Sequence, residues 1–427
     1  ELGSYPNKSV YVSFSLFWII VSYILGRYIK ITKITLSSFL LAFLKSIFLL
    51  LLCNLIYVII NWWLPLIFYW DTPNFSSYSS REISNLFIRI SLYVSILSLI
   101  VQYFFSIVTH NIYNQKKEWI FYGEQLKFVN LIEEIGDNSK NFNLLWISNK
   151  DNLNEVNTKN VKGIIIGNEN DINKTNLDII FKLKLKGIIV ESLLTWFEKE
   201  FHRMPTQIID NKYQFIEKLK SIEDNYQIRI KRIGDLLVSF ALLIITSPLF
   251  LFISLLIFIE DKGPLFYSQT RTGLNGKRIK IYKFRSMKID AEKNGIQWAK
   301  KSDPRVTKTG TFLRVTRLDE LPQLLCVIKG DMSLIGPRPE RPEIENDFLK
   351  EIPYYKYRNI LRPGISGWAQ VNYPYGASIL DSRKKLSFDI YYISHFSFLL
   401  DILISIKTIR IILNATGSKP SEPTINK

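Results

Sequence analysis

The stretch LLVSFALLIITSPLFLFISLLIFI at residues 236–259 decides the architecture of this chain. It carries no charged side chain and is long enough to cross the hydrocarbon layer of a membrane as a helix. Basic residues flank it on both sides, namely Arg229, Lys231 and Arg232 before it and Lys262, Arg271, Lys277, Arg278 and Lys280 after it. Because positive flanks favour the cytoplasmic side, both ends of the stretch are expected on the same side of the membrane.

The middle of this stretch contains the pair Ser247-Pro248. Proline deletes a helix hydrogen bond and clashes with the carbonyl of Ile244, which forces a kink that a serine hydroxyl helps to satisfy. A helix broken at its midpoint can return to the face from which it entered, so we predict a re-entrant helix over about residues 233–260. The alternative is an ordinary kinked span, which would place a strongly basic C-terminal segment outside the cell.

The composition narrows the class of protein. Apolar residues make up 47% of the 427 residues and charged residues 22%, which excludes a disordered or fibrous chain. Two cysteines and three histidines exclude a disulfide framework and disfavour a Cys/His zinc site, so any metal should be held by carboxylates. The net charge is +17, and residues 229–427 carry 32 basic against 18 acidic side chains. Such a segment attracts the phosphates of nucleic acid, lipid headgroups or a nucleotide substrate.

The first third of the chain is predicted to lie in a bilayer. Three charge-free stretches are each long enough for a transmembrane helix, at residues 9–26, 46–70 and 90–109. The first connection and the segment after the third stretch are basic, so the positive-inside rule places both in the cytoplasm and the N-terminus outside. The chain begins with Glu1 rather than Met, and we expect one further span upstream that would return the true N-terminus to the cytoplasm.

Residues 119–220 have the pattern of an α/β domain. Short apolar runs at 119–122, 144–148, 163–166 and 187–190 alternate with helical patterns such as 124–135. This rhythm predicts a parallel, Rossmann-like sheet. The first run ends in Tyr122-Gly123-Glu124 without the G-x-G-x-x-G of a dinucleotide site, which favours a regulatory or structural role. The predicted divisions are therefore 1–115, transmembrane; 116–226, Rossmann-like; and 227–427, a C-terminal domain that begins with the re-entrant helix.

Arginines interleaved with glycine and proline turns indicate where the chemistry lies. Arginine grips phosphate oxygens in pairs, and seven arginines stand at positions 305, 314, 317, 338, 341, 358 and 362. Within the same segment, Asp319 and Glu320 are predicted at the N-terminus of a helix over about residues 321–329. A stiff arginine follows in Pro337-Arg338-Pro339. Two carboxylates beside such an arginine suit phosphoryl transfer with a divalent ion, although a structural helix cap is the alternative for the pair.

The ordered motifs of this region carry a resemblance to a known family. They are Gln269-Thr270-Arg271-Thr272-Gly273, Lys283-Phe284-Arg285-Ser286-Met287, Asp303-Pro304-Arg305-Val306-Thr307, Leu318-Asp319-Glu320-Leu321-Pro322-Gln323, Gly336-Pro337-Arg338-Pro339-Glu340 and Arg362-Pro363-Gly364-Ile365-Ser366-Gly367-Trp368-Ala369-Gln370. Over about residues 229–415 the chain resembles the bacterial sugar transferases, which are monotopic phosphoglycosyl transferases. With its N-terminal spans and Rossmann-like domain, it resembles the large form of that family.

The resemblance implies an enzyme with a ping-pong mechanism. Asp319 matches the nucleophile that attacks the β-phosphate of a UDP-sugar, releases UMP and becomes an aspartyl phosphosugar, from which polyprenyl phosphate takes the phosphosugar. Glu320 matches the second member of the catalytic dyad, and Mg²⁺ is the expected ion at both carboxylates. Arg314 and Arg338 match positions that contact phosphate, and Ser247-Pro248 matches the break of the re-entrant helix.

Further matches leave two interpretations open. One set of polar residues either lines the nucleotide or lipid-phosphate site or ties loops together: Lys283, Arg285, Arg358, Arg362 and Gln370. Asp389 resembles a late acidic motif of the family, with a structural hydrogen bond as the alternative. The run Tyr373-Pro374-Tyr375 departs from the Gly-Arg of many members, which weakens inference about the sugar. Residues 396–413 suit a helix in the membrane interface or one packed on the core.

The expected function is the priming step of O-antigen, capsule or exopolysaccharide synthesis. The expected partners are a UDP-sugar, polyprenyl phosphate and the lipid bilayer, in a bacterial inner membrane with the catalytic domain in the cytoplasm. A homodimer is plausible by analogy with the large form. A non-catalytic nucleotide-sugar sensor or scaffold is the alternative, but it has no need for an adjacent Asp-Glu pair. Nucleic-acid binding is not expected, because it explains the charge but not the apolar segments.

Overall fold

The computed structural model describes part of the chain. The described residues are 93, 96–97, 100–101, 104, 117–136, 142–149, 151, 153, 161–168, 172–209, 215–216, 219, 226–289, 291, 303–373 and 378–413. The chain divides into two compact units, Glu1–Lys116 and Lys117–Lys427. The predicted spans at 9–26 and 46–70, and most of that at 90–109, lie outside the described residues.

The second unit begins with a four-stranded parallel sheet. Its elements are β1 Lys117–Tyr122, α1 Gln125–Ile135, β2 Phe142–Ile147, β3 Val161–Ile166, α2 Lys174–Leu185, β4 Ile189–Ser192 and α3 Leu193–Phe201. The strand order is β2-β1-β3-β4, and every neighbouring pair is parallel. The parallel pairing predicted from the alternating pattern is therefore confirmed. β4 starts two residues later than predicted, because Gly187 has a φ of 91° and belongs to the turn that ends α2.

Alternate residues of β1 enter two different cores, as the two-residue period of a strand requires. Trp119 and Phe121 pack with Trp196 and Phe197 of α3 on one face of the sheet. Tyr122 and its neighbour Ile120 pack on the other face against α2. Both faces of the sheet are thus covered by helices, which explains the nearly continuous apolar character of its central strands.

The apolar stretch lies within one long helix, α4, at Tyr226–Asp261. By length and composition it is a candidate membrane span, and it is the one found among the described residues. Its apolar side chains are mostly exposed, and its buried residues are Asp235, Ser239, Ile253 and Ile257. The Ser247 hydroxyl donates to the Ile244 carbonyl at 2.8 Å. Pro248 has no N–H to donate to that carbonyl, and the sequence analysis predicted that the serine hydroxyl would take its place.

Both ends of α4 are attached to the globular part that follows it. Near the N-terminal end, the Arg232 guanidinium donates to the carbonyls of Val327 and Ile328. At the C-terminal end, the Glu260 carboxylate accepts the backbone amides of Lys308 and Thr309 at 2.8 and 3.1 Å. These four residues belong to two consecutive helices of the same fold, so both ends of the long helix are held by one structure.

The globular part is built from short elements around this helix. They are the antiparallel hairpin β5 Phe266–Thr272 and β6 Arg278–Phe284, α5 Lys308–Thr316, α6 Gln323–Lys329, β7 Ser333–Ile335, α7 Pro342–Glu351, β8 Gly364–Ser366, α8 Trp368–Asn372, α9 Ile379–His395 and α10 Phe398–Leu413. β7 and β8 form a two-stranded parallel pair. In α10, Ile404 is buried in the core while Phe398, Leu399 and Leu413 are exposed, so the helix packs on the domain and also presents apolar side chains outward.

The sheet and the globular part share a core. Leu194 and Met204 from the sheet side pack with Phe348 of α7 and Leu386 and Ile390 of α9. Backbone hydrogen bonding continues the contact, since the Met204 amide donates to the Ser387 carbonyl at 2.8 Å. One face of α9 therefore forms the interface between the parallel sheet with its helices and the globular part.

Candidate active site

The two central carboxylates lie on a tight turn between two helices. α5 ends at Arg317, which has a left-handed φ of 60°, and a 3₁₀ turn at Leu318–Glu320 follows. α6 begins at Gln323, with Pro322 as its N-cap, so it starts two residues later than predicted. Leu318 and Leu321 pack against the core made by α4, β6 and α5. This packing holds the turn, and Asp319 and Glu320 are both buried.

Glu320 is surrounded by cations. Its Oε1 accepts hydrogen bonds from Lys283 Nζ at 2.7 Å and from Arg338 Nη2 at 2.9 Å, and Arg317 Nη1 lies 3.7 Å away. Burial by itself would raise the pKa of Glu320, but the charges of Arg338, Lys283 and Arg317 outweigh it and hold that pKa well below its usual value. Glu320 is therefore ionised at neutral pH.

Asp319 has the opposite environment. Its Oδ1 is buried and has no hydrogen-bond partner among the described residues. Burial raises the pKa of Asp319; Lys283 opposes this rise, and the neighbouring charge of Glu320 adds to it. A desolvated carboxylate oxygen that no donor occupies is the better nucleophile of the two, because its lone pairs are not held by hydrogen bonds.

Lys283 and Arg314 come to this turn from different segments. Lys283 is on β6, and burial lowers the pKa of its ammonium while Glu320 raises it. Arg314, on α5, donates through Nε to the Ser286 hydroxyl at 3.0 Å and lies close enough to lower the pKa of Asp319. The two predicted cations and the two predicted carboxylates are thus brought together.

Arg358 and Asp389 lie behind Arg338. Arg358 Nη2 donates to Asp389 Oδ2 and to the Arg338 carbonyl at 2.9 and 2.8 Å, and its Nη1 donates to the Tyr355 hydroxyl at 2.6 Å. Arg358 and Asp389 are both buried. Their contacts support the backbone of the Pro337-Arg338-Pro339 segment. For Asp389 this is the structural hydrogen bond that the sequence analysis gave as the alternative to a functional role. Their predicted contact with substrate stays a prediction.

Three other predicted residues make contacts elsewhere. Arg285 pairs with Asp261 at the end of α4 at 3.2 Å. Arg362 Nε donates to the Gly330 carbonyl at 3.0 Å, and Gln370 Nε2 donates to the Ile365 carbonyl at 3.3 Å. These are the contacts of residues that tie loops together, and a role for them in substrate binding stays a prediction.

Two further arginines belong near the site. Arg317 reaches Glu320. The sequence identifies it only as one of seven arginines in this region and does not predict that contact. Arg271, on β5, donates to the Pro339 carbonyl at 3.2 Å and to Gln269 Oε1 at 2.6 Å. Burial and the charge of Arg338 lower the pKa of Arg271 to about 10. Arg271 lies beside Pro339 because of how the β5–β6 hairpin packs, and the motif at residues 269–273 alone does not predict that packing.

A divalent cation would find few protein ligands here. Among the described residues, no group of three or more His, Cys, Asp or Glu side chains is arranged to hold a metal ion. Mg²⁺ is commonly bound through one or two carboxylates together with substrate phosphates and waters. The buried, unpartnered Oδ1 of Asp319 fits that pattern, whereas Glu320 Oε1 is already taken by Lys283 and Arg338.

Comparison with known proteins places the site within a matched region. A family model described as bacterial sugar transferase matches residues 226–415. The UDP-N-acetylgalactosamine-undecaprenyl-phosphate N-acetylgalactosaminephosphotransferase of Aeromonas hydrophila is 49% identical over 190 residues, which are 44% of this chain and 45% of that protein. The UDP-glucose:undecaprenyl-phosphate glucose-1-phosphate transferase of Escherichia coli is 40% identical over 182 residues, or 42% of this chain and 39% of that protein.

A shorter relative is matched over most of its length. The exopolysaccharide production protein PSS of Rhizobium leguminosarum is 39% identical over 186 residues, which are 42% of this chain and 93% of that protein. The matches to the Aeromonas and Escherichia relatives cover less than half of their length. The family model spans α4 and every element that positions Asp319, Glu320, Lys283 and Arg338, and the chain belongs to the bacterial sugar transferase family.

Proposed function

We propose that this protein transfers a sugar 1-phosphate from a UDP-sugar to polyprenyl phosphate, the priming step of O-antigen, capsule or exopolysaccharide synthesis. The observation that carries the proposal is the asymmetry of the dyad: Glu320 is paired with three cations, and Asp319 next to it keeps a buried oxygen that has no hydrogen-bond partner in the part of the chain that the structure describes. The names of the relatives support the same reaction class.

The reaction proceeds in two displacements at one phosphorus atom. An Asp319 oxygen attacks the β-phosphorus of the UDP-sugar, and the bond from that phosphorus to the bridging oxygen breaks, so that UMP leaves with the electron pair. A phosphate oxygen of polyprenyl phosphate then attacks the phosphorus of the aspartyl phosphosugar. The acyl phosphate bond breaks, the Asp319 carboxylate is restored, and polyprenyl diphosphate sugar is released.

The surrounding residues neutralise and orient the diphosphate. Lys283 and Arg338 meet at Glu320 Oε1, so each is held in place before substrate arrives and can turn further N–H donors to phosphate oxygens. Arg314 adds positive charge on the side of Asp319. Asp319 would hold Mg²⁺ through Oδ1, and Glu320 beside it would contribute less because its Oε1 is held by Lys283 and Arg338; the ion, when bound with the diphosphate, would withdraw charge from the diphosphate oxygens.

We place the protein on the inner membrane of a bacterium, with α4 as a re-entrant helix and the catalytic part in the cytoplasm. A straight helix of 36 residues would be about 54 Å long, well beyond the thickness of the hydrocarbon layer. Both of its ends are nevertheless attached to one globular part, through Arg232 and Glu260. The kink expected at Pro248 and the basic flanks support a return to the same face.

We assign the parallel sheet to a Rossmann-like domain that regulates the catalytic part, in a protein that forms a homodimer as the large members are expected to do. The shared face of α9 supports regulation. Trp368 Nε1 donates to the His202 carbonyl at 2.8 Å, and Tyr391 stacks on Trp368 with ring centroids 6.0 Å apart. Asp389, on the same helix, pairs with Arg358 and so reaches the backbone of Arg338.

The test is the exchange of labelled UMP into UDP-sugars without any lipid. Exchange requires the aspartyl intermediate, and a panel that includes UDP-N-acetylgalactosamine and UDP-glucose would identify the donor. Asp319→Asn should abolish both exchange and the mass increase of one phosphosugar on the protein. Asp347→Asn, the same change at an exposed position on α7, should do neither. Binding of UDP-sugars with no exchange from any of them would instead favour a sensor or scaffold.

A further inference from the structure

A buried glutamine next to the dyad has an amide group that is not used by the fold. Gln323, the first residue of α6, is 3% exposed. Its Nε2 is buried and makes no hydrogen bond with any residue that the structure describes. A buried donor without an acceptor is costly and rare in folded proteins, so its presence beside reacting groups points to a ligand that supplies the acceptor.

Gln323 shares one side of a helical segment with Glu320. The 3₁₀ turn at Leu318–Glu320 continues into α6 without a break, because Leu321 and Pro322 between them have right-handed helical dihedral angles. Gln323 follows Glu320 by three residues and precedes Val327 by four. Residues with these spacings are neighbours on a helix surface, so Gln323 lies between Glu320 and Val327.

The facing strand shows that this position is the boundary between the core and the site. Ile281 and Lys283 are two residues apart, so they point to the same face of β6. Ile281 belongs to the same core cluster as Val327, whereas Lys283 Nζ donates to Glu320 Oε1 at 2.7 Å. Two strand residues advance about 6.6 Å and four helix residues about 6 Å. Gln323 is therefore at the level where the apolar packing ends and the cations begin.

The missing acceptor can be identified from the nucleophile one turn away. Asp319 precedes Gln323 by four residues, and its Oδ1 is likewise buried with no hydrogen bond to any described residue. In the proposed reaction the Asp319 carboxylate bonds to phosphorus, and the oxygens on that phosphorus then lie within reach of the next helical turn. We propose that the Gln323 carboxamide donates an N–H hydrogen bond to a non-bridging oxygen of the phosphate that is transferred, an inference that rests on the proposed function.

A phosphate oxygen fits this position better than a uracil ring or a sugar hydroxyl. The three cations that meet at Glu320 attract the most strongly charged part of the donor. The transferred phosphate takes part in both displacements, and its equatorial oxygens carry the charge of the transition state. A neutral donor held in place by burial needs no reorganisation when that charge develops. Gln323 thus acts in the formation and in the breakdown of the aspartyl intermediate.

Gln323→Met in the full-length chain removes the donor and keeps the length of the side chain. UDP carries the phosphate in question and UMP lacks it, so their two affinities separate this contact from contacts to uridine or to the first phosphate. We expect Gln323→Met to weaken UDP binding about fivefold to tenfold and to leave UMP binding within about twofold of the wild type. UMP exchange into UDP-sugars should fall about 10-fold to 100-fold, because the hydrogen bond strengthens as charge develops.

Thermal unfolding distinguishes this role from a structural one. Methionine in place of an unpaired amide removes a buried polar group, so Gln323→Met should melt at the temperature of the wild type or a few degrees higher. Asn176→Leu is the matched control. Asn176 is also 3% exposed, but its Nδ2 donates to the Tyr122 hydroxyl and the Asp151 carbonyl at 2.9 and 3.0 Å. Its replacement should lower the melting temperature and leave UDP affinity unchanged.

Three results would overturn the assignment of Gln323. They are UDP binding by Gln323→Met equal to that of the wild type, an equal loss of affinity for UDP and UMP, and a decrease in melting temperature like that of Asn176→Leu. The last would show that the amide is bonded within the protein. Nucleotide binding needs no turnover, so the comparison of UDP with UMP decides the contact even if the wild type exchanges UMP into no UDP-sugar, a result that would refute the proposed transfer alone.

Discussion

Replacing Gly310 by alanine should displace α5, the helix that leads into the turn with Asp319 and Glu320. Gly310 lies in the first turn of α5, directly against the carbonyl group of Ser286. An added Cβ would stand 2.0 Å from the Ser286 oxygen, 2.6 Å from its carbonyl carbon and 2.8 Å from its Cα. All three atoms belong to the backbone, so no change of side-chain rotamer relieves the overlap.

The expected cost follows from two opposing contributions. Overpacking costs about 1–3 kcal/mol, and a clash with backbone alone puts Gly310→Ala at the upper end. The better helix propensity of alanine returns at most about 1 kcal/mol. The net loss is therefore about 2 kcal/mol, which corresponds to a decrease in Tm of about 4–8 °C.

Activity should fall with stability. The Thr307 amide donates to the Ser286 carbonyl, and Arg314 donates to the Ser286 hydroxyl, so moving α5 away from Ser286 also moves Arg314. Thermal unfolding in detergent, followed by tryptophan fluorescence, and UMP exchange would be measured on the same preparation. We expect exchange to decrease by about tenfold or more, because a small misplacement of a charged group near the reacting atoms is costly.

Gly234→Ala is the matched control, and its expected change in stability has the opposite sign. Gly234 is also helical, and no atom of a described residue lies within 4 Å of its added Cβ. Its replacement should raise stability by about 0.5–1 kcal/mol through helix propensity alone, without effect on exchange. If Gly310→Ala melts and reacts like the wild type, the contact between α5 and the carbonyl of Ser286 is wrong, and with it the placement of Arg314.

Three further predictions test the electrostatics of the site and the attachment of α4. Lys283→Met should reduce UMP exchange about 10-fold to 100-fold by removing a charged hydrogen bond to Glu320, and Lys283→Arg should recover part of the loss; equal rates for the two variants would contradict this role. The rate of exchange should decrease as the pH falls through the raised pKa of Asp319, because only the ionised carboxylate attacks. This decrease should lie at a higher pH than for an ordinary aspartate, and in Glu320→Gln it should move to lower pH because a like charge is lost. Glu260→Gln should lower the stability by about 1–2 kcal/mol, since the carboxylate caps the first amides of α5; a melting temperature equal to that of the wild type would show that α4 is not held there.

Much of the fold could be predicted because it rests on local patterns. The charge-free run at 236–259 specifies a helix that favours lipid, and Ser247-Pro248 specifies where its hydrogen bonding must change. The alternation of short apolar runs with helical patterns before residue 200 was enough to predict the parallel sheet, although only the φ of Gly187 showed where β4 begins.

The site could be predicted in part. The Asp319-Glu320 pair stands out because two carboxylates beside a Pro-initiated helix are a local feature. The functions of the arginines did not follow from their motifs: Arg285 and Arg362 stand in motifs as distinctive as that of Arg338, yet they bond to Asp261 and to the Gly330 carbonyl.

The sequence by itself determined the class of the protein, the long apolar helix with a proline inside it and the candidate carboxylate pair, because each depends on residues within one helix or one turn. Only the tertiary structure decided that Lys283, Arg317 and Arg338 meet at Glu320, while Asp319 Oδ1 has no hydrogen-bond partner among the residues described. The physical reason is that a long cationic side chain can reach several carboxylates and carbonyls. Which of them it reaches depends on how the hairpin, the turn and the segment around Arg338 pack together, and no local pattern encodes that packing.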